Sequence, residues 1–312
     1  MLFHASQPVL WSLGGLYLIL LSASLVVTIL RWRDPERDLT ELAQRIRSWW
    51  IIVTVFTAAM VMSRNVSVGF FAFVSFLALK EYLSIIPTRR ADRRVLFWAY
   101  LSIPIQYYWV AQAWYGMFII FIPVYVFLLL PMRMVIIGET KEFLRAAGTL
   151  HWGIMTLVFG LSHIAYLLAL PQSKNPGAGG AGLVLFLVFL TEFNDVAQYV
   201  WGKMLGSHKI IPKVSPNKTW EGFLGGVATT TALAVFLSSW LTPMAWTVAA
   251  VAGLLISVAG FIGDVTISAL KRDIGLKDSG SMLPGHGGIL DRIDSLTYTA
   301  PLFFHFIYYF YY

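Results

Sequence analysis

Ten long apolar stretches, joined by short connections, constrain this chain more than any other feature. They cover residues 10–30, 49–62, 66–86, 95–112, 114–135, 152–170, 183–200, 223–241, 244–270 and 296–312. A helix needs roughly 20 apolar residues to cross the hydrocarbon core of a bilayer, and in lipid only helices and closed barrels satisfy the backbone. The expectation is therefore an all-α, polytopic bundle of nine or ten transmembrane helices, the short run 49–62 leaving the count open by one. Of the 312 residues, 58% are hydrophobic and 12% charged, against about 25% charged in an ordinary soluble domain. The chain has no cysteine, which excludes disulfides, thiolate metal sites and cysteine nucleophiles. Residues 1–9 carry no Lys or Arg, and the first run is too long for a signal-peptide core. It is expected to be a retained span.

The basic residues fix a direction. Connections 31–48, 80–94, 133–151, 202–219 and 271–295 hold 5, 5, 3, 4 and 4 Lys or Arg, 21 of the chain's 23; only Arg64 and Lys174 fall elsewhere. Positive charge collects in cytoplasmic loops, so these five are expected inside and both termini outside, in a bacterial-type inner (cell) membrane. The net charge of +7 is explained this way without a nucleic-acid partner. The Gly-rich stretch 171–182 (PQSKNPGAGGAG) is expected to be a flexible extracytoplasmic linker. It separates an N-terminal transmembrane bundle, 1–170, from a C-terminal transmembrane half, 183–312, with cytoplasmic loops 202–219 and 271–295.

Carboxylates inside spans are costly and mark function by default; Glu192, Asp195 and Asp264 are such groups. On a helix, Asp264, Ser268 and Lys271 fall at i, i+4 and i+7 and share one face. An Asp–Lys pair that merely neutralises a buried charge is the plainer alternative. The next loop, KRDIGLKDSGSMLPGHGGILDRID (271–294), alternates Lys271, Arg272, Lys277 and Arg292 with Asp273, Asp278, Asp291 and Asp294. Within it Gly285, Gly287 and Gly288 flank His286, and glycine amides can cradle an anion. Carboxylate oxygens beside phosphate-binding cations suit Mg²⁺, which takes one or two protein carboxylates plus substrate oxygens. A second basic cluster, Lys203, Lys209, Lys213 and Lys218, precedes a Pro216-Thr219-Glu221 pattern that also reads as a plain helix start.

At these residues the sequence resembles the phosphatidate cytidylyltransferase (CDP-diacylglycerol synthase) family. The family signature S-x-apolar-K-R-x4-K-D-x-small-x2-apolar-P/G-x-H-G-G-apolar-x-D-R-apolar-D is met at every specified position from Ser268 to Asp294. The K-x-SP-x-KTWEG run at 213–222 is similar as well. The resemblance is specific from about residue 183 to 295. It implies that Asp264 and Asp291 hold a divalent metal, Mg²⁺, with room for a monovalent cation such as K⁺. It implies phosphate or pyrophosphate contacts from Lys271, Arg272, Lys277, His286 and Arg292, with Asp278 and Asp294 orienting them. Ser215, Lys218, Thr219, Ser268, Gly287, Gly288 and Asp195 are implied substrate contacts. One position departs: the family commonly has Ala-Asp-Ser/Thr where this chain has Asn194-Asp195-Val196, so a hydroxyl is missing.

The implied reaction is transfer of CMP from CTP to phosphatidic acid, giving CDP-diacylglycerol and pyrophosphate for phospholipid synthesis. CTP, phosphatidic acid and the bilayer are then the partners, and a homodimer is compatible with the sequence. Four alternatives stand beside it. A CTP-dependent polyprenol kinase, or a cytidylyltransferase for another lipid phosphate, would use the same groups. A CDP-alcohol phosphotransferase needs a D-G-x2-A-R…G-x3-D-x3-D pattern that the sequence lacks. A proton-coupled transporter would use the intramembrane acids, but the two halves differ sharply in charge and motif content.

Overall fold

The computed structural model describes residues 6–34, 36, 38–280 and 287–312, with Arg90 as backbone only. Among the described residues there are ten rods of helix and no strand. They are α1 (Gln7–Arg33), α2 (Thr40–Val61), α3 (Arg64–Ile85), α4 (Arg93–Ala111), α5 (Tyr115–Ile137), α6 (Phe143–Leu167), α7 (Gly179–Leu205), α8 (Trp220–Leu241), α9 (Trp246–Asp273) and, after a single turn α10 (Leu290–Ile293), α11 (Leu296–Tyr311). Seven are long and apolar enough alone to cross a membrane; α2, α4 and α11 are shorter or begin in charged turns. Large apolar side chains such as Trp11, Leu18, Leu128 and Phe236 remain more than half exposed, an outer surface suited to lipid and not to water. The chain is a multi-pass membrane protein.

Contacts join several of the connections in pairs. At the basic end, Arg89 Nη1 donates to the Glu139 and Lys141 carbonyls, and Arg272 Nε donates to Val214 O. At the other, Arg64 Nη2 donates to the Val110 and Ala111 carbonyls in the last turn of α4. Asn175, expected in a flexible linker, is buried there. Its Nδ2 donates to Gly179 O at 2.9 Å and to Leu241 O at 3.0 Å. The glycines of this stretch have a packing reason, because α7 starts among them and crosses the backbone ends of α6 and α8 closely.

Small residues let the helices of the second half approach. In α9 the buried Ala249, Ala252, Gly253, Ile256, Ala259, Gly260 and Gly263 recur at helical spacing on one side. A Cβ on Gly253 would stand 2.6 Å from Ala234 Cβ of α8, and one on Gly263 would stand 2.6 Å from Asp294 O. Without a hydrophobic force between helices in lipid, such close backbone packing supplies much of the association. The helix α11 wedges between the two halves: Phe303 stacks on Phe186 of α7, while Phe304 lies against Phe118 and Tyr166 of α5 and α6. Wide π turns interrupt α5 at Phe121–Val126, where Pro123 removes a donor, and α6 at Met155–Gly160.

Candidate active site

Two lysine–carboxylate pairs form at the basic end. The first joins α9 to the connection before α8. Lys218 Nζ lies 2.6 Å from Asp264 Oδ2 and donates to Gln198 Oε1 at 3.1 Å, with its head 5.7 Å from the centroid of Phe261. Asp264 Oδ1 accepts the Ser268 hydroxyl at 3.3 Å. Ser215 forms the turn that aims Lys218, its carbonyl accepting Lys218 N–H. Thr219 is buried, and its hydroxyl accepts Gly222 N–H at 3.2 Å, so its side chain caps α8. Two further carboxylates face this pair. Asp195 Oδ2 accepts the Ser295 hydroxyl at 2.8 Å, whereas Asp195 Oδ1 is buried with no partner among the described residues. Asp294, drawn in by the close approach at Gly263, has its carboxyl pushed above the usual range by burial, with Asp264 and Asp195 adding to the effect.

The second pair is Lys271 with Asp291, at 2.6 Å through Asp291 Oδ1. Asp291 Oδ2 accepts Ser279 N–H at 3.0 Å and Gly288 N–H at 3.1 Å, and it lies 2.9 Å from Ser279 Oγ, whose one proton it shares with Glu81. Burial alone would raise this carboxyl, but Lys271 and the two amides outweigh it and hold it below the ordinary value. Gly287 sits at φ +78, open to glycine without strain, and a side chain there would meet Asp291. Glu81 of α3 completes the cluster, accepting Ile289 and Leu290 N–H and the Ser279 hydroxyl. The amides of Gly288, Ile289 and Leu290 therefore go to the chain's own carboxylates.

Lys277 and Asp278 are exposed. Arg292 is half-buried, its Nε has no partner among the described residues, and it lies within electrostatic reach of Glu192 and Asp195. His286, with Gly285, lies outside the described residues. Asp264 and Lys271 do not pair with each other as the same-face spacing allowed; each takes a partner from another segment. Val196, where the hydroxyl is missing, is 54% exposed on the outside of α7 and takes no part in the cluster. Glu81, Gln198, Ser279 and Ser295 join the cluster from outside the residues that the sequence motifs mark. Glu81 carried a signal, an acid at the end of an apolar run; the others are ordinary polar residues.

Among the described residues, no three acidic or histidine side chains form a ready metal cage. Mg²⁺ needs only one or two protein carboxylates, and a carboxylate offers about four lone-pair positions. Asp264 has donors on two of them, Asp291 Oδ1 carries one donor, and Asp195 Oδ1 carries none. Three carboxyl groups, those of Asp264, Asp195 and Asp294, lie within electrostatic reach of Lys218. This oxygen-only supply fits a hard divalent cation.

Residues 43–310 match the cytidylyltransferase family. The chain belongs to that family. Its members are nucleotidyltransferases, and the match runs through both pairs and through Glu81. The chain is 48% identical over 298 residues to the uncharacterized protein YnbB of Escherichia coli (strain K12), covering 96% of this chain and 98% of that one. It is 43% identical over 140 residues to a phosphatidate cytidylyltransferase of Brucella suis biovar 1 (strain 1330), covering 45% of this chain and 52% of the relative. A phosphatidate cytidylyltransferase of Staphylococcus aureus (strain COL) is 37% identical over 154 residues, 48% and 59% of the two chains. The matches to the two relatives named for an activity thus span little more than half of each.

Proposed function

We propose that this cytidylyltransferase moves CMP from CTP to the phosphate of phosphatidic acid, releasing pyrophosphate. The observation that carries the reading is the pairing of Lys218 with Asp264 and Lys271 with Asp291 at the basic end of membrane-length helices. Water-soluble CTP and a lipid phosphate can both reach that level. The names of the Brucella and Staphylococcus relatives support phosphatidic acid as the acceptor. The positive connections support a cytoplasmic site in the cell membrane, with both termini opposite.

The acceptor phosphate is already an anion, so no strong general base is required. The barrier is repulsion between anions plus charge building on the leaving pyrophosphate. Catalysis is then positioning and electrostatic stabilisation. Lys218 and Lys271, each paired with a carboxylate, would meet the phosphate oxygens. Arg272, tied to Val214, brings the two loops together, and Lys277 and Arg292 add positive charge. Mg²⁺ would be held by Asp264 and by Asp291 through Oδ1, and when bound it neutralises phosphate charge. Asp195 and Asp294 complete the polar setting of the Lys218–Asp264 pair.

CTP labelled at the α-phosphate decides the reaction. With phosphatidic acid in mixed micelles, the label is expected in the lipid and pyrophosphate in solution, whereas a kinase transfers the γ-label and leaves CDP. A panel of other lipid phosphates identifies a different acceptor. Asp264→Asn and Asp291→Asn are expected to lose about 100- to 1,000-fold in rate while remaining folded. Turnover near that of the parent in either variant refutes the metal assignment.

A further inference from the structure

One side chain carries the N-terminal bundle into the loop that presents Asp291. Glu81, near the end of α3, is only 9% exposed. Its Oε2 accepts Ile289 N–H at 2.8 Å, and its Oε1 accepts Leu290 N–H at 3.1 Å and the Ser279 hydroxyl at 2.5 Å. The carboxylate thus joins both limbs of the loop, Ser279 on one side and residues 289–290 on the other. Ser279 also binds Asp291 Oδ2, as does Gly288 N–H. Glu81 fixes the loop to α3, while Asp291 turns Oδ1 towards Lys271. Gly288 lies between the two acids, and a methyl group there would overlap Glu81 Oε1. Glu81 has no ion-pair partner among the described residues. Its contacts are all to hydrogen-bond donors of this loop.

We infer that Glu81 is a positioning residue: it sets the Lys271–Asp291 pair relative to the Lys218–Asp264 pair, and so the alignment of the two substrates. The kinetic part rests on the transfer reaction proposed above; the structural part does not. Glutamine has the same size but a single acceptor oxygen. Its NH₂ group would face a backbone N–H, donor against donor. A role in filling space would tolerate Glu81→Gln, whereas a role in holding these amides would not.

The chain's lack of cysteine gives a direct test. A nitroxide on Asp278→Cys reports beside Ser279, and one on Lys174→Cys reports at the opposite end. In full-length protein in bilayers, Glu81→Gln is expected to mobilise the label at 278 and leave that at 174 unchanged. In the cysteine-free chain, Glu81→Gln is expected to lower kcat by about 10- to 100-fold, the cost of displacing reacting groups by roughly 1 Å. The KM for CTP should stay within about threefold. Adding Glu81→Gln to Gly288→Ala should cost nothing further, because both act through one contact. An unchanged label at 278, a mobile loop with parental kcat, or additive effects of the two substitutions would each overturn the inference. A parent that forms no CMP-lipid defeats the proposed reaction instead, and the nitroxide spectra still decide whether Glu81 holds the loop.

Discussion

Lys218 offers the sharpest test of how the site is held. Its Nζ lies 2.6 Å from Asp264 Oδ2, and the two side chains are only 18% and 20% exposed. At an effective dielectric constant of roughly 20, charges at that separation attract by about 6 kcal/mol before desolvation is counted. Removing one partner of such a pair costs about 3–5 kcal/mol, because the other charge is stranded. Lys218→Met keeps an unbranched side chain of similar length and removes the charge and its donors. Asp264 would then face Asp195 and Asp294 with no cation between them. The expected loss is about 3 kcal/mol, roughly a hundredfold in the folded-to-unfolded ratio. Asp264→Asn in the same chain removes the stranded charge, so the double variant should recover most of that loss. Unfolding in mixed micelles by a denaturing detergent, followed through the 12 tryptophans, measures both. A single variant as stable as the parent, or a double variant weaker than the single, refutes the reasoning.

Asp294→Asn should stabilise the protein at neutral pH while depressing transfer. The folded carboxyl sits above its ordinary 3.8, so its charge costs stability as pH rises from that value through the folded pKa; at lower pH the variant and parent should unfold alike. Asp291 has the opposite sign. Its stabilisation is complete above 3.8 and is lost as pH falls through the depressed folded value, so Asp291→Asn should flatten the acid limb of the unfolding curve; an unchanged limb contradicts the Lys271 and amide contacts. Lys174→Ala, exposed at the far end, should leave both transfer and unfolding as they are, and a clear loss of either would question the placement of the site.

The helices were legible because lipid leaves the backbone few choices. Ten apolar runs became ten rods, and the basic residues marked one end. Chemistry was legible as residue types and less so as partners. Asp264 and Lys271 share a helix face, but seven residues are about 10.5 Å of rise, too far for an ion pair without both side chains bending along the axis. Lys218 and Asp291 come from loops whose paths no periodicity encodes. Glu81 meets Ser279 across 198 positions and otherwise binds backbone amides, which leave no trace in side-chain composition. Glycines followed the same rule: Gly287 and Gly288 read as anion-binding, yet the anions beside them are the chain's own Asp291 and Glu81.

The placement of α11 has a consequence for biosynthesis. Residues 296–311 leave the ribosome after every other group of the site, and Ser295, which donates to Asp195, comes only just before them. Asp195 and Asp264 therefore enter the bilayer while part of their setting is still unmade. A nascent chain stalled before residue 295 would hold intramembrane acids with Lys218 as their main counter-charge. Insertion of α11 between the halves is the step that closes the core, and a quality-control protease that senses exposed polar groups in lipid would find its substrate in the interval before it.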